Sequence, residues 1–416
     1  MNPLLEQLQD PVALERLFHE DAAQFRIWLA EAEAARPQAE TLRVWRARLD
    51  YEAAAPEPAD GADRLRALGK VAVLSLLAFA AVRLPALLEV DPEWFYPRFA
   101  PLIVVGALIA YYFPALATAR LRWVVIGTYA GLLGWMCLLP VDESDTLVMS
   151  LLYAPFVALS LLGLAFGAGQ WRSVDVRIRF VRFLGEALIH TTLIVIGGVV
   201  LSALTMGLFR LIGLNIEEWY LENVVVWGLV SAPIVATYLF EVVLRRTSSL
   251  APLLSNVFSP LFLVMVVLYL VALLTQGRNP VADREFLIQF NGLLLVVWGI
   301  TVFSVCGGTV RHKLSRLMDL VNITLVVVTL AINAIALAAI VIRFMQFGPT
   351  PNRVAVTGAN VLIFGHLLLM LGRYVKTGKS GEPARELAPV IARYLPAYTA
   401  WSLFVVVVLP VLFGFA

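Results

Sequence analysis

The chain has 416 residues, 60% hydrophobic and only 15% charged, with a net charge of +2 and a mean hydropathy of +0.82. Soluble domains are roughly half apolar and about a quarter charged, so this composition excludes an ordinary soluble protein, and the net charge is too small to suggest a nucleic-acid partner. Two cysteines, Cys137 and Cys306, lie in separate apolar runs, and the four histidines show no HxxxH, CxxC or HExxH spacing. That pattern gives no disulfide framework, no metal or haem site and no implied cofactor.

Residues 1–52 read as a small cytoplasmic helical hairpin. Asp10 and Pro11 form an N-cap and first-turn pair, and Leu14, Leu17, Phe18, Phe25, Trp28 and Leu29 follow at helical spacing. Arg36-Pro37 breaks that helix, and Leu42, Trp45 and Leu49 form a second stripe. The acidic, amphipathic opening does not have the basic and then apolar order of a cleaved signal peptide. Residues 53–69, rich in Ala, Pro, Glu and Asp before Arg64 and Arg66, read as a linker and pre-membrane basic segment.

Residues 70–416 form a predicted transmembrane helical domain, so the expected fold is all-α and polytopic. About eleven apolar runs are long enough to cross about 30 Å of hydrocarbon. Their limits are 70–89, 99–118, 122–140, 146–168, 186–212, 223–244, 256–275, 286–306, 320–344, 354–374 and 396–415. Residues 170–190, with Arg172, Arg177, Arg179 and Arg182, are a candidate interfacial start to the fifth run. Basic residues precede the first run and follow every even-numbered one, as in Arg120-Leu121-Arg122 and Arg245-Arg246. The intervening loops are acidic, as at Glu89 to Glu93 and Asp142 to Asp145. By the positive-inside rule this places the N-terminus in the cytoplasm and the C-terminus outside. GxxxG spacing at Gly127/Gly131 and Gly163/Gly167 suits close helix approach.

Polar residues inside apolar runs are the candidates for chemistry, because hydrocarbon penalises them. Asn322, Thr329 and Asn333 share a face of the ninth run, and Asn360 and His366 lie in the tenth; together they suggest a polar pathway between those helices. Arg179, Arg182, Glu186 and His190 fall on one helical stripe, and Glu186 and His190, one turn apart, form a candidate proton or ion pair. The alternative is an Arg–Glu–His ladder that anchors the helix at the interface. Glu241 is one turn before Arg245, as in an ion pair, and Arg83 and Arg210 near run ends can snorkel to the interface. The hairpins around Gln276–Pro280 and Gln346–Arg353, each followed by an asparagine (Asn291, Asn360), show a faint internal likeness.

Gln346-Phe347-Gly348-Pro349-Thr350-Pro351-Asn352-Arg353, after a long apolar helix ending Ile342-Arg343-Phe344, resembles the Q-Y-G-[LI]-T-x-N-R signature of a bacterial multi-span family. That family is catalogued as domain of unknown function 4153. The sequence departs from the signature at Phe347, Pro349 and Val354. The resemblance implies an integral protein of a bacterial envelope, here placed in the cytoplasmic membrane, and assigns no catalytic residue. Physically, the two prolines enforce a turn, Asn352 is placed to cap the next helix, and Arg343 and Arg353 flank a candidate outer anion or lipid-phosphate contact.

Two functions remain in view. One is a transporter-like or permease-like protein for a small solute or lipid, based on the spans, their prolines and the buried Asn/His positions. The other is a non-catalytic assembly or signalling partner that binds another protein through residues 1–52. An enzyme is a weaker reading, because no paired carboxylates or metal-ligand set gathers at one leaflet. The bilayer is the expected partner.

Overall fold

The computed structural model describes residues 2–54, 61–141, 144–244, 251–275, 284–307, 315–377 and 383–415. These residues are helical, with no β-strand among them, and the chain divides into two compact units, Met1–Arg66 and Ala67–Ala416.

The first unit holds helices α1 (Pro3–Glu6), α2 (Pro11–Glu20), α3 (Ala22–Ala35) and α4 (Glu40–Ala54). The apolar stripe expected to be one helix before Arg36 is divided into α2 and α3. The cause is local: Asp10 Oδ1 accepts from Ala13 N at 3.1 Å and Asp21 Oδ1 accepts from Gln24 N at 2.9 Å, so each carboxylate caps its own helix. Leu14, Phe25, Leu29, Leu42, Trp45 and Leu49 are buried together, and Leu4 joins them from α1. Asn2 donates to the carbonyl of Trp28 at 2.7 Å, and the Arg48–Glu15 and Arg46–Glu33 ion pairs join α4 to α2 and α3.

The second unit carries α5 (Gly61–Val82, most of which lies in this unit), α6 (Leu84–Leu88), α7 (Pro92–Tyr112), α8 (Ala119–Leu138), α9 (Asp145–Phe166) and α10 (Val174–Leu211). Next come α11 (Glu217–Tyr220), α12 (Val226–Tyr238), α13 (Ala251–Thr275), α14 (Arg284–Gly307), α15 (Ser315–Phe347), α16 (Pro351–Thr377), α17 (Pro383–Leu403) and α18 (Leu409–Leu412). Helix starts follow short-range chemistry. Asp91, Thr118 and Ser144 accept from Glu93, Leu121 and Leu147 main-chain N–H groups, and so cap α7, α8 and α9.

Among the described residues, nine helices are long and apolar enough to cross a membrane. They make the architecture of an integral membrane protein. Two more helices, α13 and α14, contain shorter described apolar stretches, Val257–Leu268 and Leu294–Phe303. Residues 174–190 are continuous with the fifth span, giving a single helix of 38 residues, about 57 Å long. One buried cluster joins α5, α7, α8, α9, α10 and α12, and a second joins α10 with α14, α15, α16 and α17. Both use α10, through Phe180 and Phe183 for the first and Val181 for the second.

Three π-helical turns, Leu221–Val225, Leu239–Val243 and Phe404–Val408, widen the helical ladder. In the last of them the Val406 carbonyl accepts the Trp135 indole at 2.7 Å and the Ser150 hydroxyl at 3.5 Å. Gly163 and Gly167 pack against α10 side chains, Phe180 and Val176, whereas Gly127 and Gly131 have nothing within 4 Å of where a Cβ would stand. The first GxxxG therefore makes no close helix approach among the described residues.

Candidate functional site

Helices α14 and α16 run parallel, because α15 reverses the chain between them. Among the described residues two polar contacts join them. At one level Asn360 Nδ2 donates to Asn291 Oδ1 at 2.9 Å. At the next, the Trp298 indole N–H donates to His366 Nδ1 at 3.4 Å. The contacts are seven residues apart on α14 and six apart on α16, so they lie about 9–10.5 Å apart along the axes. Leu294 and Ile363, both buried, stand between the two levels.

The other two helices complete each level. From α15, Asn333 Nδ2 donates to the Asn360 carbonyl at 3.1 Å. From α17, the Tyr398 hydroxyl lies 2.9 Å from His366 Nδ1, and the Tyr394 ring stacks on the imidazole with centroids 4.6 Å apart and planes 15° apart. An indole N–H can only donate, so Nδ1 accepts, and a neutral ring then carries its proton on Nε2.

All three residues are central to their helices. Asn333 is thirteen residues from each end of the span Leu320–Gln346, and Asn360 and His366 straddle the centre of Pro351–Lys376. Asn333 is 0% exposed, Asn360 3% and His366 0%. Asn333 Oδ1, Asn360 Oδ1 and His366 Nε2 have no hydrogen-bond partner among the described residues. Stranding a polar group in an apolar medium costs about 1–3 kcal/mol on protein scales, whereas an interhelical hydrogen bond in a membrane averages about 0.6 kcal/mol. The cluster therefore contributes less to helix association than apolar side chains of equal volume would.

The sequence named Asn333, Asn360 and His366, and the structure brings the first two into contact and sets His366 one level away. Asn322 does not join them. It is half-buried on α15, eleven residues or about 16 Å along the axis from Asn333. Asn291, Trp298, Tyr394 and Tyr398 were missed as partners. The signals present were the seven-residue spacing on α14 and the four-residue spacing on α17, each placing a pair on one helix face.

The stripe on α10 divides. Arg179 and Arg182 are exposed, whereas Glu186 and His190 are buried, so the four residues do not form one ladder. The Arg182 Nε instead donates to the Cys306 carbonyl on α14 at 3.2 Å. His190 Nδ1 donates to the Glu186 main-chain carbonyl at 2.7 Å and stands 3.8 Å from its carboxylate, too far for a hydrogen bond. The two titratable groups are adjacent but their direct link runs through the backbone. Glu241 accepts from the Tyr112 hydroxyl at 2.9 Å; Arg245, its expected partner, lies outside the described residues.

The Gln346–Arg353 turn is built from two helix caps. Gly348, at φ 74°, ends α15 in the left-handed region and donates to the Phe344 carbonyl at 3.0 Å. Thr350 precedes α16, and its hydroxyl accepts from Arg353 N at 3.3 Å. Thr350, not Asn352, is thus the cap, because Pro351 takes the first helical position. The Arg353 guanidinium donates to the Gly348 carbonyl at 2.8 Å and braces the turn; Arg343 sits one turn before α15 ends. The loop Gln276–Pro280, its expected counterpart, lies outside the described residues.

Arg83 and Arg210 meet acids: Arg83 lies 3.4 Å from Glu222 and Arg210 3.1 Å from Glu217. A buried cation, Arg98, escaped the sequence reading. It donates to the carbonyls of Trp94 at 3.0 Å and Pro140 at 2.8 Å, fastening α7 to the end of α8. Among the described residues no three His, Cys, Asp or Glu side chains are placed to hold a metal ion. No protein-family model matches the chain, and neither a curated protein nor a solved structure matches it.

Proposed function

We propose that the chain is a permease-like protein that passes a small, uncharged polar solute between α14, α15, α16 and α17. One observation carries this reading: two amide oxygens and one imidazole nitrogen are buried at mid-span without a partner among the described residues. Two acceptors and, in the neutral ring, one N–H donor suit hydroxyl or amide groups on a solute. Asn291, Trp298, Asn333, Asn360, His366, Tyr394 and Tyr398 include no carboxylate or ammonium group, which disfavours an ion as cargo. Leu294 and Ile363 serve as the apolar barrier between two polar stations. The reading includes α13 and α14 as spans, for eleven in all, with the N-terminus cytoplasmic and the C-terminus outside in a bacterial cytoplasmic membrane. The reading keeps the multi-span family that Gln346–Arg353 resembles, and gives the Gly, Thr and Arg of that turn a structural role.

The test is solute-driven swelling of proteoliposomes, followed by light scattering for glycerol, urea and acetamide. At least one solute should enter faster than into protein-free liposomes, and Asn333→Ala with His366→Ala should slow that entry by about tenfold, the equivalent of about 1.4 kcal/mol. Unchanged entry in a double variant that still elutes as a single species, or no entry above protein-free liposomes, would discard the proposal.

A second reading has its own support in the compact first unit, where Ile27 and Val44 remain 53% and 62% exposed. An assembly role predicts that Ile27→Glu with Val44→Glu removes a cross-linked partner in cells while leaving swelling rates unchanged.

A further inference from the structure

We infer that the cleft between α7 and α8 is a binding site for one acyl chain of an anionic phospholipid, with its phosphate held at Arg122. The inference rests only on the membrane architecture and is independent of the solute pathway.

The cleft has a volume of about 340 Å³ and is lined almost wholly by apolar side chains, among them Ile109, Ala110, Pro114, Ile126 and Leu133. Ligand pockets of roughly 300–1,000 Å³ are common, so this one is large enough for part of a lipid chain. Its existence has a local cause. Gly106 and Ala110 are one turn apart on α7 and present almost no side chain, while Tyr129 crosses from α8 over Gly106 and donates to the Leu102 carbonyl at 2.6 Å. Tyr129 thus acts as a strut that holds the helices apart at one end. Phe113 and Pro114, in the turn that ends α7, line the other end.

Charge then orients the occupant. Arg122 is four residues before Ile126 and seven before Tyr129, so it falls on the α8 face that lines the cleft, one turn beyond the apolar floor. It is exposed, and its Nε donates to the Leu116 carbonyl at 3.1 Å, which draws the guanidinium toward the Phe113–Pro114 end. Arg120 is exposed at the same helix start, and Lys70 reaches the Tyr111 carbonyl from α5. Residues 94–141 contain no Asp or Glu, and the hairpin's other cation, Arg98, is buried at its far end on the Trp94 and Pro140 carbonyls, so the exposed cations of the hairpin are Arg120 and Arg122. Glu241 bonds to Tyr112, which does not line the cleft. A phosphate beside Arg122 and a chain rising past Pro114 toward Tyr129 satisfy both features, and an arginine fork suits a phosphate better than a lysine does. The site also opens where lipid is: Ala110, Ile126 and Ala130 are exposed.

The experiment reconstitutes the full chain in phosphatidylcholine vesicles with a minor fraction of phosphatidylglycerol. A trace of either lipid carries a diazirine at the end of one acyl chain. After irradiation, mass spectrometry maps the labelled peptides. Phosphatidylglycerol should label residues 106–133 in preference to other exposed apolar helices, and should do so more than phosphatidylcholine. Ala110→Trp fills the cleft from an exposed position and should lower that label by about tenfold, whereas Leu208→Trp on exposed α10 should not change it. Arg122→Gln should remove the preference for phosphatidylglycerol, and Arg122→Lys should retain part of it. Label spread evenly over α8 and α10, label indifferent to Ala110→Trp, or equal label from the two lipids would each overturn the inference.

Discussion

The indole N–H of Trp298 and Nδ1 of His366 meet at 3.4 Å across parallel helices, and the Tyr398 hydroxyl approaches the same nitrogen at 2.9 Å. Two donors on one ring nitrogen define the tautomer of the neutral imidazole. With ¹⁵N-labelled histidine, the His366 Nδ1 shift should be that of an unprotonated nitrogen. Trp298→Phe with Tyr398→Phe should let the Nδ1–H form appear. An Nδ1–H signal in the unaltered protein would contradict the geometry.

The asparagines differ in what they share. Asn360 meets Asn291 side chain to side chain, but Asn333 donates to the Asn360 main chain. A double-mutant cycle with alanine at Asn291 and Asn360, read by unfolding in detergent, should show coupling of about 0.6 kcal/mol. The same cycle for Asn333 and Asn360 should show much less, because the accepting carbonyl survives substitution. Equal couplings would mean that the side chains, not the backbone, join α15 to α16.

Gly358 on α16 faces the six-membered part of the Trp401 ring so closely that any Cβ would overlap it. Trp401 is itself stacked on Phe404, with centroids 5.0 Å apart, and has little freedom to move. Gly358→Ala should destabilise the protein by about 1–3 kcal/mol. Trp401→Leu should recover part of that loss in the double variant. Thermal unfolding followed by tryptophan-independent light scattering measures both.

Gly348 has φ 74° and ends α15, so a side chain there is strained wherever it points. Gly348→Ala should cost about 1–2 kcal/mol, and Gly348→Asn less, since asparagine tolerates the left-handed region. If alanine proved neutral, Gly348 would not be the cap that fixes the turn.

Much of the fold was readable because membrane helices are set by local quantities. Hydropathy located the runs, and Asp91, Thr118, Ser144 and Thr350 began helices for reasons confined to four residues. Two local readings failed for equally local causes. Asp21 competes with helix continuation by capping α3, and Pro351 takes the position that Asn352 would have needed to follow. The candidate site was half legible. Asn333, Asn360 and His366 stood out as polar in apolar runs, whereas Trp298 and Tyr398 looked like ordinary membrane aromatics.

Sequence alone determined that this is a helical membrane protein with a separate N-terminal unit, since burying about 20 apolar residues per helix leaves little else possible. It also singled out a few polar positions within apolar runs, among them Asn333, Asn360 and His366. Tertiary structure decided which faces meet: Asn291 with Asn360, Trp298 with His366, and Arg182 with the end of α14 rather than with Glu186. The physical reason is that in hydrocarbon one apolar neighbour is nearly as good as another. Helix pairing therefore rests on shape and on a few polar contacts between distant segments, and neither is expressed in the periodicity of a single helix.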